Sequence, residues 1–332
     1  MLKIGVIKTL DKRINSFVEG YRQNLAILGG DKEEIVYLLE KYFTNHKSEA
    51  LSIYTDCSYL DNRGFFENTV YSLLSNYLSS YESLDSLINY TQANIPVTVN
   101  FIKEILKSNK PVTFLSVLEV INKFINETQR KCIFILPEFT QLKYLFQNFS
   151  QDFSHFIILQ KKCMVIVTSS SIKEAEKMLS TELNFLFGNF EKLYVRENNF
   201  LDCYFYIKEL LQPIIPSSFL LSFFINILGS NLMYYDFIAQ LIKRHFSEDE
   251  EKTILSTIEE AFYRKNSYFF QRFIKKIELL KEMSKDYLLL IKLLFYISKG
   301  YIRKQEIISL NLGDKKVVNA RLNQIYKLYL LF

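Results

Sequence analysis

The stretch from Asn24 to Phe43 restricts the fold more than any other. Asn24-Leu25-Ala26-Ile27-Leu28 is a short apolar run stopped by Gly29 and Gly30, which reads as a strand ending in a turn. From Glu33 to Phe43 apolar residues recur three and four apart, a helical spacing, with Asp31 placed to cap the helix. Four further apolar runs look like strands: Leu51–Thr55, Cys132–Leu136, Met164–Val167 and Lys192–Val195. Five short strands separated by helical connections predict a parallel sheet covered on both faces, joined by right-handed crossovers.

Helical patterns fill the intervals. Residues 11–22 lead into the first strand, and 62–127 hold four amphipathic segments: Phe65–Leu78, Leu84–Tyr90, Val97–Leu106 and Thr113–Ile125. Pro96 and Pro111 stand near helix starts, where proline is tolerated. Residues 139–160 read as a helical pair and 173–187 as a further helix. No strand follows Pro213 and Pro216 until the last residues, so a boundary falls near 213. The predicted architecture is α/β: a sheet domain at 1–212, a helical domain at 213–285 and a third unit at 286–332.

The third unit has its own pattern. Tyr287–Ile297 is amphipathic, Gly300 breaks it, Gln305–Leu310 is a short helix, Asn311-Leu312-Gly313 turns, and Asp314 caps a last helix from Lys315 to about Tyr329. Helix, short helix, glycine turn and helix is a helix-turn-helix arrangement. Between 291 and 332 stand eight basic residues and two acidic ones, an excess of six against +5 for the whole chain. The positive charge is therefore gathered at this end, and the rest of the protein is close to neutral.

Composition excludes other classes. Hydrophobic residues make up 49% of 332, enough to build real cores and too many for a disordered chain. A net charge of +5 permits a nucleic-acid or acidic partner without demanding one. Cys57, Cys132, Cys163 and Cys203 form no CxxC clamp and read as buried thiols of a reducing compartment. His46, His155 and His245 have no metal-ligand spacing, so no metal site is expected. There is no signal-peptide pattern and no apolar stretch long enough to span a bilayer, and the expected location is the cytoplasm with no membrane partner.

The layout of strand, glycines and helix is that of a phosphate-binding loop, G-x-x-x-x-G-K-[ST]. Aligned from Gly29, the second glycine falls on Glu34, the lysine on Ile35 and the hydroxyl on Val36. In order, the landmarks resemble the archaeal-type ATPases, an AAA+/STAND branch of the P-loop proteins. Arg22-Gln23-Asn24-Leu25-Ala26-Ile27-Leu28-Gly29 resembles the entry into the loop. Ile133-Phe134-Ile135-Leu136-Pro137-Glu138-Phe139 resembles the Walker B strand, and Val165-Ile166-Val167-Thr168-Ser169-Ser170 the sensor strand. Leu186-Phe187-Gly188-Asn189 is similar to the "lfGR" element. Leu228-Gly229-Ser230-Asn231-Leu232-Met233-Tyr234-Tyr235 is similar to the lid element, and the C-terminal unit to a winged helix, truncated here because at most one strand follows the last helix.

The resemblance implies an AAA+-like fold with a lid and ATP hydrolysis as the family activity. The substituted residues point the other way. Ile35 replaces the phosphate lysine, Val36 the magnesium hydroxyl, Pro137 the Walker B aspartate and Asn189 the arginine; only Glu138 is kept. Phosphoryl transfer needs loop amides, lysine and metal together. Glu33 and Glu34 would meet the phosphates, and two unit charges about 4 Å apart repel by roughly 4 kcal/mol at an effective dielectric of 20. The expectation is a degenerate ATPase-like protein with no cofactor, ATP and magnesium entering only if Gly29, Gly30 and Lys32 still hold a nucleotide. Glu138 is the sole remnant of a catalytic set. Asp56 reads as a loop or cap residue, Ser169, Ser170 and Ser171 as loop chemistry with no catalytic partner, and Phe219, Phe223 and Phe224 as core.

Three roles remain open for such a chain. One is a regulatory module binding double-stranded DNA through Lys315, Lys316, Arg321 and Lys327, with Asn319 and Asn323 as base readers, or binding a protein by the same end. The others are a structural subunit of a larger AAA+ assembly, a clamp-loader-like arm, and a residual ATP-binding protein or ATPase.

Overall fold

The computed structural model describes residues 2–45, 49–57, 61–108, 110–183, 188–196, 198–283, 287–301 and 303–327. Two compact units are present, 1–197 and 198–332.

The first unit opens with α1 (Leu2–Glu19), β1 (Asn24–Gly29), α2 (Lys32–Asn45) and β2 (Leu51–Tyr54). Four helices follow: α3 (Asn62–Leu78), α4 (Leu84–Thr91), α5 (Pro96–Lys107) and α6 (Phe114–Thr128). Then come β3 (Cys132–Leu136), α7 (Leu142–Leu145), α8 (Phe149–Leu159), β4 (Cys163–Ser169), α9 (Ile172–Lys177) and β5 (Phe190–Val195). The sheet is parallel throughout, in the order β2-β3-β4-β1-β5. Every residue of β1, β3 and β4 is buried, as near-continuous apolar runs in a doubly covered sheet require. β5, at one edge, alternates.

Side-chain alternation divides the core between two faces. Leu25, Ile27, Ile133, Ile135, Met164 and Ile166 meet Leu10, Ile14 and Phe17 of α1 and Ile35 and Leu39 of α2. Ala26, Leu28, Phe134, Leu136, Val165 and Val167 meet the larger layer of α3 to α6 and α8. Phe114 anchors that layer, with ring centroids 5.3 Å from those of Phe146 and Phe149 and 5.8 Å from that of Phe153. Thr113 caps α6 and Asp61 caps α3 through side-chain oxygens.

The second unit holds α10 (Phe200–Leu211), α11 (Ser218–Leu228), α12 (Leu232–His245), α13 (Glu250–Ile258), α14 (Tyr268–Met283), α15 (Tyr287–Ser298), α16 (Lys304–Ser309) and α17 (Lys315–Lys327). It begins before the boundary expected near Pro213, because α10 packs on α11 and α12. The Asn199–Asp202 capping box starts α10, and Cys203, Ile207 and Leu211 are buried. At the α11–α12 junction Asn231 accepts from the Met233 amide at 3.0 Å, and the Tyr235 hydroxyl donates to Gly229 O at 2.6 Å. Phe224 is core as expected, whereas Phe219 is 64% exposed. α15, α16 and α17 share a small core of Leu290, Leu293, Ile307, Val318 and Ile325. Asp314 caps α17, accepting from the Lys316 amide at 2.8 Å.

Candidate functional site: the carboxyl edge of the sheet

The connection from β1 carries α2 onto one face, while that from β4 carries α9 onto the other. β1 and β4 are neighbours, so this is the switch point at which open parallel sheets hold ligands, outside the carboxyl ends of the strands. The turns facing it are Gly29-Gly30-Asp31 and Ser169-Ser170-Ser171.

The first turn is very short. Only Gly30 and Asp31 separate the end of β1 from the start of α2. Asp31 is spent on the helix, its Oδ1 accepting from the Glu34 amide at 3.0 Å and its carbonyl from the Ile35 amide at 3.0 Å. Gly29 and Gly30 lie at φ +86° and +73° with no room above them. A Cβ on Gly29 would stand 2.6 Å from Val195 O and 3.0 Å from Ile172 Cδ1; one on Gly30 would stand 2.9 Å from Val195 Cγ1. The glycines therefore permit close packing of backbone on β5 and α9. A phosphate cradle needs a wider loop with several converging amides.

Polar side chains tie the segments beyond the strand ends to one another. Lys32 Nζ lies 3.0 Å from Asp56 Oδ2, beyond the end of β2. Glu138 follows β3 in the left-handed region at φ 52° and is 8% exposed. Its Oε1 accepts from the Ser170 amide at 2.7 Å and its Oε2 from Ser170 Oγ at 3.1 Å. Burial holds the Glu138 carboxyl above the usual range, partly offset by the bonds from Ser170 and by Lys32. Pro137, at the Walker B aspartate position, offers only its carbonyl, which accepts from the Cys57 amide at 3.1 Å. Ile35 is 3% exposed and packs in the core, and Glu34 is 4% exposed. No cluster of metal-binding side chains occurs among the described residues.

Gly29, Gly30, Lys32 and Glu138 are thus gathered at one edge of the sheet. Asp56 and Ser170, ordinary loop residues by their sequence, are the partners of Lys32 and Glu138. For Ser170 the signal was position, since it directly follows β4, which neighbours the β3 strand that Glu138 follows; Asp56 follows β2, which does not adjoin the β1 strand ahead of Lys32, and carried no such signal.

The nucleic-acid candidates lie in the second unit. On α17, Lys315, Lys316 and Asn323 are exposed, while Asn319 and Arg321 are half-buried. Asn319 Oδ1 is buried with no hydrogen-bond partner among the described residues. Val318 and Ile325 take the core side of the helix, which turns Lys316 and Asn323 outward. The side chain of Lys327 lies outside the described residues, as do Leu186 and Phe187, His46 and the segment after the last helix. No helix among the described residues is long and apolar enough to cross a membrane.

No protein-family profile matches the sequence, and no curated protein matches it. Solved structures do. A Walker-type ATPase of Pyrococcus abyssi superposes with a TM-score of 0.56 at 14% identity, over 96% of this chain and 87% of that one. The ORC2 protein of Aeropyrum pernix, solved in ADPNP–ADP complexes, gives 0.50 at 11% identity, over 98% of this chain and 85% of that one. The chain has the fold of the AAA+ P-loop ATPases: a five-stranded parallel α/β sheet covered by helices, followed by a helical region.

Proposed function

We propose that this chain is a degenerate AAA+/STAND-type ATPase-like protein that does not hydrolyse ATP and acts as a regulatory module, binding duplex DNA through its basic helix-turn-helix end. The observation that carries the first half is the two-residue β1–α2 connection, with both glycines packed against Val195 and Ile172. That connection is too short for the wide loop of converging amides that receives a triphosphate, and Lys32 is engaged with Asp56. Support for the second half comes from α17, which sets Lys315, Lys316 and Asn323 outward on a core of its own. Lysines at such positions contact phosphates, and an asparagine pairs with adenine in the major groove.

Two titrations test the reading. A fluorescent ATP analogue with magnesium is expected to show no saturable binding, and micromolar binding with turnover overturns the first half. Labelled duplex DNA is expected to bind at about 50 mM salt and to weaken steeply by about 200 mM, as counterion release requires. Replacing Lys315 and Lys316 by Ala lowers that affinity and flattens the salt dependence. No binding at low salt sinks the DNA half and leaves a protein partner for the same end.

A further inference from the structure

A groove of about 950 Å³ runs along the free edge of β2, between α2 and α3. Its size falls among those of small-molecule sites. It is not a slot for an added strand. Asn76 Nδ2 donates to Ser52 O at 2.9 Å, and the Tyr54 amide donates to Ser72 Oγ at 2.8 Å, so side chains of α3 already serve the outward backbone groups of β2. Whatever enters must be read by side chains.

Those side chains have a pattern. Glu40 and Asp56 line the end of the groove at the carboxyl side of β2, and Glu49 lines the other end. Glu49 and Asp56 are seven positions apart, at most about 23 Å at strand rise. Between these acidic poles Leu39, Phe43, Tyr54 and Tyr71 share the walls with hydroxyl and amide side chains, Ser72 and Asn76 among them. Two cations bear on this charge: Lys32, held by Asp56, and Arg130, which lines the groove with its guanidinium 5.2 Å from the centroid of the Tyr77 ring.

We propose that this groove binds a linear aliphatic polyamine, its terminal ammonium groups at Glu40–Asp56 and at Glu49 and its methylenes along the apolar and tyrosyl middle. Separated positive charges on an apolar stem match separated carboxylates across a floor of mixed aromatic, aliphatic and uncharged polar side chains; those hydroxyls and amides can accept from the inner ammonium groups, and the tyrosine rings add cation–π attraction. Negative charge converges here at a cost. Burial and then Asp56 raise the Glu40 carboxyl, and burial followed by Asp56 and Glu40 pushes the Tyr54 phenol up. A bound cation relieves that repulsion. The chain as a whole carries +5, so overall charge supplies no general attraction for cations. The assignment is independent of the DNA reading.

Calorimetric titration of the full chain with spermine, a tetraamine long enough to reach between the two poles, tests it at a fixed ionic strength of about 0.15 M. Saturable one-to-one binding is expected. The double variant Glu40→Gln, Glu49→Gln is expected to bind at least tenfold more weakly, and Tyr71→Leu to weaken binding through loss of the ring. Lys315→Ala with Lys316→Ala leaves it unchanged. Circular dichroism of each variant separates lost binding from lost fold. Unsaturable heats, equal affinity in the carboxylate variants, or magnesium displacing spermine at matched ionic strength overturns the proposal. So does binding of a lysine-rich peptide where spermine fails, which assigns the groove to a protein.

Discussion

Glu138 ties the end of β3 to the turn after β4 through both of its carboxylate oxygens. Removing it leaves the Ser170 amide without a partner, and hydrogen bonds to charged groups are worth about 1.5–3 kcal/mol. Glu138→Ala is therefore expected to destabilise the first unit by about 2–3 kcal/mol in urea unfolding. Glu138→Gln keeps an acceptor for the amide and is expected to cost far less. The pH dependence has a definite sign. Burial raises the folded carboxyl, so the native state holds its proton longer than the unfolded chain does. The contribution of Glu138 to stability is thus full at acid pH and declines as pH rises from about 4.3, the unfolded value, through the folded one. The Gln variant loses less stability over that rise than the parent, a difference measurable by urea titration at several pH values. Little of this pairing was legible beforehand. Glu138 stood out as a remnant by resemblance, but Ser170 lies 32 residues away, and only the β3–β4 register sets them side by side.

At the scale of elements, the β1 strand and the helix after it were readable because burial on both faces demands an unbroken apolar run, and Asn24–Leu28 provides one. The tightness of the turn was not readable. It depends on Val195 and Ile172, which reach Gly29 and Gly30 from β5 and α9. Gly29→Ala places a Cβ 2.6 Å from a backbone oxygen at positive φ. A loss above about 2 kcal/mol is expected, larger than the usual cost of a point change. Gly20→Ala, at φ +111° in open space, serves as the control that carries only backbone strain. Restoring motif residues does not restore the motif. Ile35→Lys with Val36→Thr is expected to give no ATP binding, because the β1–α2 connection remains two residues long, and to destabilise the core around the buried position 35. Saturable binding of a labelled ATP analogue by that variant contradicts this account.

For the molecule as a whole, a ligand that binds only the folded state raises stability by RT ln(1 + [L]/Kd). Millimolar ATP with magnesium is expected to leave the melting temperature unchanged, whereas active relatives of this fold would gain several degrees at saturating nucleotide. The five strands and the three helices α15, α16 and α17 were visible as patterns in the chain, since hydrophobic period and glycine punctuation are local signals. Strand order, the groove beside β2 and the place of α10 are long-range properties, and no local period encodes them.

The sheet order also sets a timetable for biosynthesis. β1 is an inner strand, yet both of its neighbours, β4 and β5, are encoded well over a hundred residues later. At about 5–20 residues per second, the ribosome takes roughly ten to thirty seconds to deliver the second of them after β1 emerges. For that interval an apolar strand waits unpaired, and the nascent chain depends on α1 and α2, or on a chaperone, to shield it.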